Sequence, residues 1–321
     1  MGPLKGIKVL DVTYYLPGPY AAMRLAKMGA TVVKVEPPGG DPAKTMGEGI
    51  VHRANNKGKE VIEIDLKTSE GQLSMVELIK TADVILESFR PGVMERLGFS
   101  YETMKKYKPD IVYCSMTGYG HESPLAEFGS HDINYMALSG VLSQFVDGQG
   151  NPVPPKNTIA DYVGALNVTE GILAALVHKF QTGEGSFVDI ALADSMFTFQ
   201  GTHQAYIEQG ISEHGIPEID GTRIAYGLYK TRDHRHVALG ALEPTFWDNF
   251  CVFANRPDWK RIAFRKVGTP EHEEVSVFFE SYTWDEWLEI SLRTDFCVTP
   301  VMNVTELSKH PHWQSKTLSL N

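Results

Sequence analysis

The segment from Ile7 to Glu36 combines two apolar strand patterns with one helix pattern, and this alternation restricts the possible folds more than any other feature. Strands are predicted at Ile7–Val12 and Thr31–Glu36, with a helix between them at Tyr20–Met28. Gly29 ends the helix, because glycine readily adopts the left-handed conformation that closes many helices. Strand, helix and strand in so short a stretch predict a parallel βαβ unit with a right-handed crossover.

The same alternation continues through the first half of the chain. Further strands and helices are predicted in turn at Glu60–Asp65, Ser69–Thr81, Ala82–Glu87, Tyr101–Tyr107 and Ile111–Ser115. Because strands that alternate with helices build parallel sheets covered on both faces, we predict an α/β fold with a Rossmann-like doubly wound sheet. No GxGxxG sequence follows the first strand, so the fold alone implies no dinucleotide.

Residues Gly210–Gly221 are rich in glycine, proline and acidic residues, and this shift in composition predicts a linker. We expect a large α/β domain over residues 1–209, a linker over 210–225 and a small α+β domain over 226–321. The large domain is completed by a long helix, a strand and another helix at about Ala160–Phe180, Gly185–Ala193 and Ser195–Gln209. The small domain is predicted to hold a hairpin and two helices at Tyr226–Thr231, His236–Ala241, Thr245–Ala254 and Trp284–Leu292.

Composition and charge exclude several classes of protein. A net charge of −10 argues against a nucleic-acid-binding protein, which usually presents a basic face. No apolar run approaches the roughly 18 residues of a membrane span, so we expect no membrane insertion. The three cysteines are scattered and lie in no metal-binding motif, which predicts a reducing compartment and gives no support for zinc. With no signal-peptide pattern and no peroxisomal signal, the sequence predicts a cytoplasmic protein.

The segment Gly129–Tyr135 (GSHDINY) predicts a loop that leads a histidine into a helix. Ser130 is the expected N-cap, because its hydroxyl can accept a hydrogen bond from a free backbone N–H of the first turn. His131 then lies at the positive end of the helix dipole, which disfavours the imidazolium and leaves a neutral ring able to take a proton. The alternative is a histidine in a capping turn, with Asp132 stabilising the helix start. Taken alone, this segment favours the alternative.

Two further carboxylates are candidate acid–base groups. Asp161 lies at the start of the predicted long helix, where the helix dipole by itself favours an aspartate. Glu243 follows an apolar strand and precedes Pro244, so it is equally explained as a polar residue before a helix that begins with proline. None of the three candidates is decisive alone.

Several motifs together resemble the family III CoA-transferase superfamily, the CaiB/BaiF type, and within it the α-methylacyl-CoA racemases. The matching segments are Leu4–Gly6 with Val9–Asp11, Pro17–Pro19, Gly29–Glu36, Arg90–Val93 with Arg96–Gly98, and Gly118–Gly120. The likeness extends from about Leu4 to His312. It implies the fold of that family, a Rossmann-like large domain with a smaller second domain, and a CoA thioester as substrate.

The resemblance implies two alternative activities. In the transferases, an aspartate at the position of Asp161 is the nucleophile and passes CoA through mixed-anhydride and thioester intermediates. The racemases additionally have a histidine–aspartate pair, here His131-Asp132, and a glutamate in a Gly-Ala-Leu-Glu-Pro context, here Glu243. Because this chain has both, we favour racemisation of a 2-methylacyl-CoA, with His131 on one face of Cα, supported by Glu243, and Asp161 on the other. A CoA-transferase and a non-catalytic CoA-ester-binding protein are the alternatives.

A CoA substrate carries phosphates, and an acidic protein needs a local group of cations to bind them. The candidate CoA-binding residues are four cations and two residues of the Gly-Tyr-Gly motif: Arg53, Lys57, Lys59, Arg90, Gly118 and Tyr119. Lys57 and Lys59 are also explained as solubilising residues of a turn. The resemblance implies no metal, no cofactor beyond the CoA of the substrate, and an interlocked homodimer in which Glu243 of one chain meets His131 and Asp161 of the other.

Overall fold

The computed structural model describes residues 2–212 and 215–314, which group into two compact units, one ending at Gly201 and the other beginning at Thr202. Residues 213–214 of the predicted linker and residues 315–321 of the predicted small domain lie outside the described residues. The predicted fold class is confirmed, because a doubly wound α/β unit is followed by a smaller α+β unit.

One six-stranded sheet, with all strands parallel, forms the centre of the first unit. All six predicted strands are present, and their bounds are β1 Lys8–Asp11, β2 Thr31–Glu36, β3 Glu60–Glu63, β4 Val84–Glu87, β5 Val112–Thr117 and β6 Ser186–Ala191. The strand order is β3-β2-β1-β4-β5-β6. This is the order of a Rossmann-like fold, in which ligands bind at the carboxyl ends of the strands, where the order reverses.

Helices cover both faces of this sheet. Their bounds are α1 Pro17–Lys27, α2 Ile50–Asn55, α3 Ser69–Lys80, α4 Val93–Arg96, α5 Tyr101–Tyr107, α6 Asp132–Leu138, α7 Ile159–Thr182 and α8 Leu192–Phe197, with short 3₁₀ helices at Pro42–Gly49, Val141–Gln144 and Thr198–Gln200. Helices α1, α6 and α7 pack on one face, and α3 and α5 pack on the other. The hydroxyls of Thr68 and Ser100 cap α3 and α5, as expected for residues at an N-cap.

The length and hydropathy of helix α7 do not match the expectation that no segment of the chain could span a membrane. By length and composition alone it is apolar enough to cross a bilayer, with a mean hydropathy of 1.3. The sequence shows no continuous apolar run there, because Asp161, Glu170 and Lys179 interrupt it. One face of the helix is buried in the core of the unit through Ala165, Val168, Ile172 and Leu176. The other face exposes Leu166, Val177 and Phe180.

The predicted helix Ser195–Gln209 is instead two helices, α8 and α9 Gly201–Glu208, joined by a 3₁₀ turn. Two hydroxyl groups bond to backbone carbonyls at this break: Ser195 Oγ donates to the Ala191 carbonyl at 2.9 Å, and Thr198 Oγ1 donates to the Ser195 carbonyl at 2.7 Å. Serine and threonine that bond in this way compete with the helical hydrogen bonds, which accounts for the interruption.

The second unit combines a three-stranded antiparallel sheet with helices. The predicted hairpin is confirmed as β7 Tyr226–Lys230 and β8 His236–Gly240, and the sheet is completed by β9 Val298–Pro300. Its further helices are α10 Pro244–Phe253, α11 Pro270–Phe279, α12 Trp284–Ser291 and α13 Pro311–Gln314, with 3₁₀ helices at Pro257–Arg261 and Val304–Lys309. The core of this unit is strongly aromatic, with buried Trp247, Phe250, Phe279 and Trp287.

Candidate active site

Two residues of the predicted site, Asp132 and Asp161, lie together although they are far apart in the chain. Asp132 is the first residue of α6, and its Oδ1 accepts a hydrogen bond from the backbone N–H of Asp161 at 3.0 Å. This contact satisfies one of the free N–H groups in the first turn of α7. Burial, and then the negative charge of Asp132, raise the pKa of Asp161 to about 7. The arrangement therefore supplies a carboxyl group that exchanges a proton near neutral pH.

His131 is exposed and is itself the N-cap of α6, so the expectation that Ser130 forms the cap is wrong. The backbone N–H of His131 donates to Asn134 Oδ1 at 3.0 Å, and the Asn134 N–H donates to the His131 carbonyl at 2.8 Å. Ser130 is drawn away from the cap because its hydroxyl donates to the Tyr135 hydroxyl at 2.9 Å. The backbone of His131 is thus fixed from both sides, directly before Asp132.

Gly118 and Tyr119 pack against the loop that carries His131. A Cβ atom on Gly118 would lie 2.5 Å from Ser130 Oγ and 3.0 Å from the Tyr135 hydroxyl, so only glycine fits. The rings of Tyr119 and Tyr135 meet edge to face with centroids 5.7 Å apart. Both residues therefore pack against the segment that carries His131, and the Gly118 carbonyl also accepts a hydrogen bond from the Ala193 N–H at 3.0 Å.

Arg90 lies beside the same loop. Its side chain is exposed, and a Cβ atom on Gly129 would be 3.2 Å from Arg90 Nη2. Gly129 precedes His131 by two residues, so the guanidinium group is adjacent to the segment that carries the candidate base. Arg90 is therefore a predicted phosphate ligand whose side chain lies beside the loop that carries His131.

The other predicted phosphate ligands lie in two different environments. Arg53 and Lys57 are exposed on and after α2, and Arg53 Nη1 donates to the Glu48 carbonyl at 2.9 Å. Lys59 has a fully buried side chain, which the sequence reasoning did not expect. Its ammonium group donates to Asp11 Oδ2 at 2.7 Å, to the Pro19 carbonyl at 2.8 Å and to an asparagine oxygen at 2.7 Å. All three donors are used inside the protein, so this ammonium is not free for a phosphate.

A buried group of charges at the carboxyl ends of β1 and β2 was missed from the sequence. Lys34 Nζ lies 3.1 Å from Asp41 Oδ2 and 4.0 Å from Asp11 Oδ1, and all three side chains are fully buried. Burial by itself would raise the pKa of Asp11, but the charges of Lys59 and Lys34, together with hydrogen bonds from Lys59 and Thr13, outweigh it and lower the pKa. The available signal was the presence of charged residues inside two otherwise apolar strand patterns.

The same end of the sheet holds three groups with the spacing of metal ligands. Ligand atoms of Glu36, Asp41 and His52 lie within 4.8 Å of one another. Ammonium groups already neutralise both carboxylates, because Lys44 Nζ lies 2.5 Å from Glu36 and Lys34 Nζ lies 3.1 Å from Asp41. A cation would have to displace both lysines, so the donor set fits an ion-pair network better than a metal centre.

Glu243 lies in the second unit, where it is exposed at the N-cap of α10 and directly precedes Pro244. The pKa of the Cys297 thiol is raised by burial and then by the charge of Glu243, so the two side chains are neighbours. The Gly240 N–H donates to the Cys297 carbonyl at 3.0 Å and joins the end of β8 to this segment. The Gly-Ala-Leu-Glu-Pro motif therefore forms the turn between β8 and α10.

Comparisons with known proteins match this architecture. A sequence model of CoA-transferase family III matches residues 4–320. An α-methylacyl-CoA racemase from Homo sapiens is 34% identical over 319 residues, which cover 96% of this chain and 80% of that protein. A succinyl-CoA:mesaconate CoA-transferase from Haloarcula hispanica is 33% identical over 335 residues, covering 97% and 83%.

Solved structures show the same similarity. The crystal structure of a hypothetical protein, Rv3272, from Mycobacterium tuberculosis matches with a TM-score of 0.85 and 27% identity, covering 99% of this chain and 89% of that chain. A CaiB/BaiF family protein from Brucella suis matches with a TM-score of 0.83 and 25% identity, covering 98% and 88%. Relatives of both activities, racemase and transferase, are thus similar to this chain over nearly its whole length.

Proposed function

Because this chain belongs to CoA-transferase family III, we propose that it racemises or epimerises a 2-methylacyl-CoA thioester, with His131 and Asp161 as the two bases. In one direction His131 removes the proton on Cα and leaves the enolate of the thioester. Protonated Asp161 then returns a proton to the opposite face of Cα, and the reverse reaction exchanges the two roles. The only cofactor chemistry in this proposal is that of the CoA moiety of the substrate.

The observation that carries the proposal is the hydrogen bond between Asp132 and Asp161, one residue from His131. A two-base racemase needs each base in both protonation states at the working pH. With a pKa of about 7, Asp161 is protonated in about half of the molecules at neutral pH. A carboxyl group at the ordinary pKa of 3.8 would be almost fully ionised there and would be a poor proton donor.

Arg90 supports the binding of the CoA part of the substrate. Its guanidinium group is exposed beside Gly129, and arginine pairs well with phosphate through two parallel hydrogen bonds. We propose that Arg90 holds the CoA moiety and that the exposed cations Arg53 and Lys57 contribute charge. Lys59 is left out of this proposal because its donors are already used.

The second candidate is a CoA-transferase in which Asp161 is the nucleophile, favoured by the similarity to proteins named as CoA-transferases. The ionised carboxylate would attack the thioester carbonyl, break the carbon–sulfur bond and release CoA as a thiolate, leaving a mixed anhydride. This reaction uses Asp161 only in its ionised form. The two candidates therefore differ in the protonation state that they need.

The proposal is tested by NMR of a single enantiomer of a 2-methylacyl-CoA in deuterated water with the wild-type protein. The expected result is deuterium at Cα together with loss of configuration. Absence of exchange, with CoA transferred to an added carboxylate, would replace the racemase by the transferase. The control is a His131→Ala, Asp161→Asn double variant, which should show neither reaction.

For Glu243 we propose a supporting role that is completed by a second copy of the chain. The resemblance to an interlocked family implies such a homodimer, and the exposed apolar face of α7, with Leu166, Val177 and Phe180, offers surface for association. Activity that falls on dilution together with loss of dimer would support this proposal, and a fully active monomer would refute it.

A further inference from the structure

A row of polar side chains crosses the first unit's sheet where apolar residues are expected. In the register of the parallel strands, Glu87 of β4 is paired with Ser115 of β5, and Ser115 is paired with Asp189 of β6. Glu87 and Ser115 are 3% and 0% exposed. Asp189 is exposed on the edge strand β6, but strands of a parallel sheet covered on both faces are normally apolar throughout, so the buried Glu87 and Ser115 need an explanation.

This row lies on the face of the sheet opposite to the candidate bases. Side chains alternate between the two faces along a strand, and Leu86 and Cys114 belong to the core shared with α6 and α7. Glu87 and Ser115 follow these residues directly and therefore point to the other face, which packs against α3 and α5. The proposed chemistry does not use them.

His121 completes the row as a chain of hydrogen bonds. Ser115 Oγ lies 2.8 Å from His121 Nε2 and also bonds to the Glu87 carboxyl group. The His121 backbone N–H donates to Asp189 Oδ2 at 2.9 Å, and the Phe89 N–H donates to Glu87 Oε2 at 2.7 Å. Ser115 therefore lies between the buried carboxyl group of Glu87 and the imidazole of His121.

The groups around Glu87 leave its charge without a cationic partner among the described residues. The pKa of Glu87 is raised to about 7, because burial and then the charge of Asp189 raise it by more than the hydrogen bonds from Ser115 and Phe89 lower it. Two other titratable neighbours, Tyr113 on the same face of the sheet and Cys114 on the opposite face, are buried and neutral, because burial raises the pKa of each well above its ordinary value.

A serine hydroxyl has one proton, so Ser115 donates either to Glu87 or to His121 but never to both. When Glu87 is protonated, it donates to Ser115, and Ser115 donates to His121 Nε2. When Glu87 is ionised, it accepts from Ser115, and His121 must present an N–H to the serine oxygen. The chain therefore has two arrangements, which differ by the proton on Glu87.

Both ends of this chain belong to loops that lead to the candidate active site. Phe89, held by Glu87, is followed by Arg90, whose guanidinium group lies beside Gly129. His121 ends the loop that contains Tyr119, which packs against Tyr135 in the helix that His131 caps. One hydrogen-bonded chain thus connects two active-site loops through the interior of the unit.

We propose that Glu87, Ser115 and His121 are positioning residues that hold the Phe89–Arg90 and Gly118–His121 loops in the arrangement that binds CoA, and that this hold is firmer when Glu87 is ionised. Hydrogen bonds to a carboxylate are stronger than those to a neutral acid, so the ionised form fixes Phe89 and Ser115 more tightly. The inference rests on the proposed binding of CoA by Arg90. The inference assigns to these three residues an effect on the affinity for CoA, although they do not contact the reacting atoms.

The test measures the dissociation constant of dephospho-coenzyme A between pH 6 and pH 8. This probe lacks the phosphate monoester, which titrates near pH 6 and would obscure the result. For the wild type we expect affinity to increase about threefold or more as the pH rises across this range. Glu87→Gln keeps an oxygen that can accept from Phe89 but cannot ionise, so this variant should lose the part of the pH dependence that comes from Glu87, while any part that comes from Asp161 is shared with the wild type.

Ser115→Ala breaks the chain in the middle and should weaken binding about three- to tenfold at pH 8. The matched control is Ser195→Ala, which also removes a buried hydroxyl with a local hydrogen bond and should bind as the wild type does. A Glu87→Gln variant that keeps the wild-type pH dependence, or a Ser115→Ala variant with wild-type affinity, would refute the inference alone. A wild type that binds no dephospho-coenzyme A would refute the proposed CoA site, and this inference with it.

Discussion

The Asp132 carboxylate accepts a hydrogen bond from the backbone N–H of Asp161 at 3.0 Å, across a separation of 29 residues. The residue next to His131 in sequence thereby caps the helix that carries the second candidate base. Its negative charge also opposes the ionisation of Asp161, in addition to the larger effect of burial. One contact thus helps to fix the position of Asp161 and adds to the effect of burial on its pKa.

Replacing Asp132 by asparagine should lower the pKa of Asp161. The amide oxygen can still accept the N–H of Asp161, but the negative charge is gone, so ionisation becomes easier by about one pH unit. The pH dependence of kcat/KM should show the Asp161 limb at correspondingly lower pH. Asp147→Asn, which changes an exposed aspartate in a loop, is the control. An unchanged limb in Asp132→Asn would mean that Asp132 does not influence the proton on Asp161.

The raised pKa of Asp161 predicts a stability that falls as the pH rises from about 4 to about 7. In this window the unfolded chain releases the proton, whereas the folded protein keeps it, so ionisation favours unfolding. Above pH 7 both states are ionised and the effect is constant. Asp161→Asn lacks this penalty and should gain about 2–4 kcal/mol over the wild type between pH 4 and pH 8.

Urea denaturation of both proteins at several pH values checks this, because other groups cancel in the difference. A difference between the two unfolding free energies that does not change with pH would show that Asp161 has an ordinary pKa.

Gly118→Ala should disturb the loop that carries His131. The new methyl group would meet Ser130 Oγ at 2.5 Å, and relieving this overlap should cost about 1–3 kcal/mol and reduce activity at least tenfold. Gly148→Ala is the control, because a Cβ at that position meets nothing within 4 Å. Adding Ser130→Ala to Gly118→Ala removes the closest atom and should restore part of the stability. A fully active Gly118→Ala variant would contradict the packing argument.

A dimer with Glu243 supplied by the second copy predicts complementation between inactive variants. When Asp161→Asn and Glu243→Gln chains are unfolded together and refolded, about a quarter of the sites in the mixture should be intact. Refolding Asp161→Asn with His131→Ala is the control and should recover nothing, because in the proposal these two residues come from the same chain. No recovery in the first mixture would place Glu243 in the site of its own chain or remove it from the reaction.

The main sheet was predictable because its strands are short runs rich in apolar residues that alternate with helices whose ends carry clear signals. Strand β9 has only three residues and shows no pattern of its own. Helix α11 was not predicted, although Thr269 and Pro270 mark its start. Thr269 is its N-cap, and its hydroxyl accepts a hydrogen bond from the backbone N–H of His272. The break between α8 and α9 depends on hydroxyl groups whose choice of partner the sequence does not display.

The candidate site was only partly predictable. Motif resemblance identified His131, Asp132 and Asp161, but the hydrogen bond between the two aspartates depends on how α6 meets α7. Lys59 was expected at a phosphate and lies instead in a buried ion pair. A buried lysine and an exposed one cannot be distinguished in the sequence, because burial depends on whether the folded strands place a carboxylate beside the ammonium group. Asp11 and Lys34 were missed for the same reason.

The two-base mechanism is tested most directly by measuring deuterium exchange at Cα separately for each enantiomer of a 2-methylacyl-CoA, with His131→Ala and with Asp161→Asn. If the two residues stand on opposite faces of the substrate, each variant keeps exchange of one enantiomer and loses exchange of the other, and the retained enantiomers are opposite. Loss of the same enantiomer in both variants, or exchange of both enantiomers in either variant, would contradict the account.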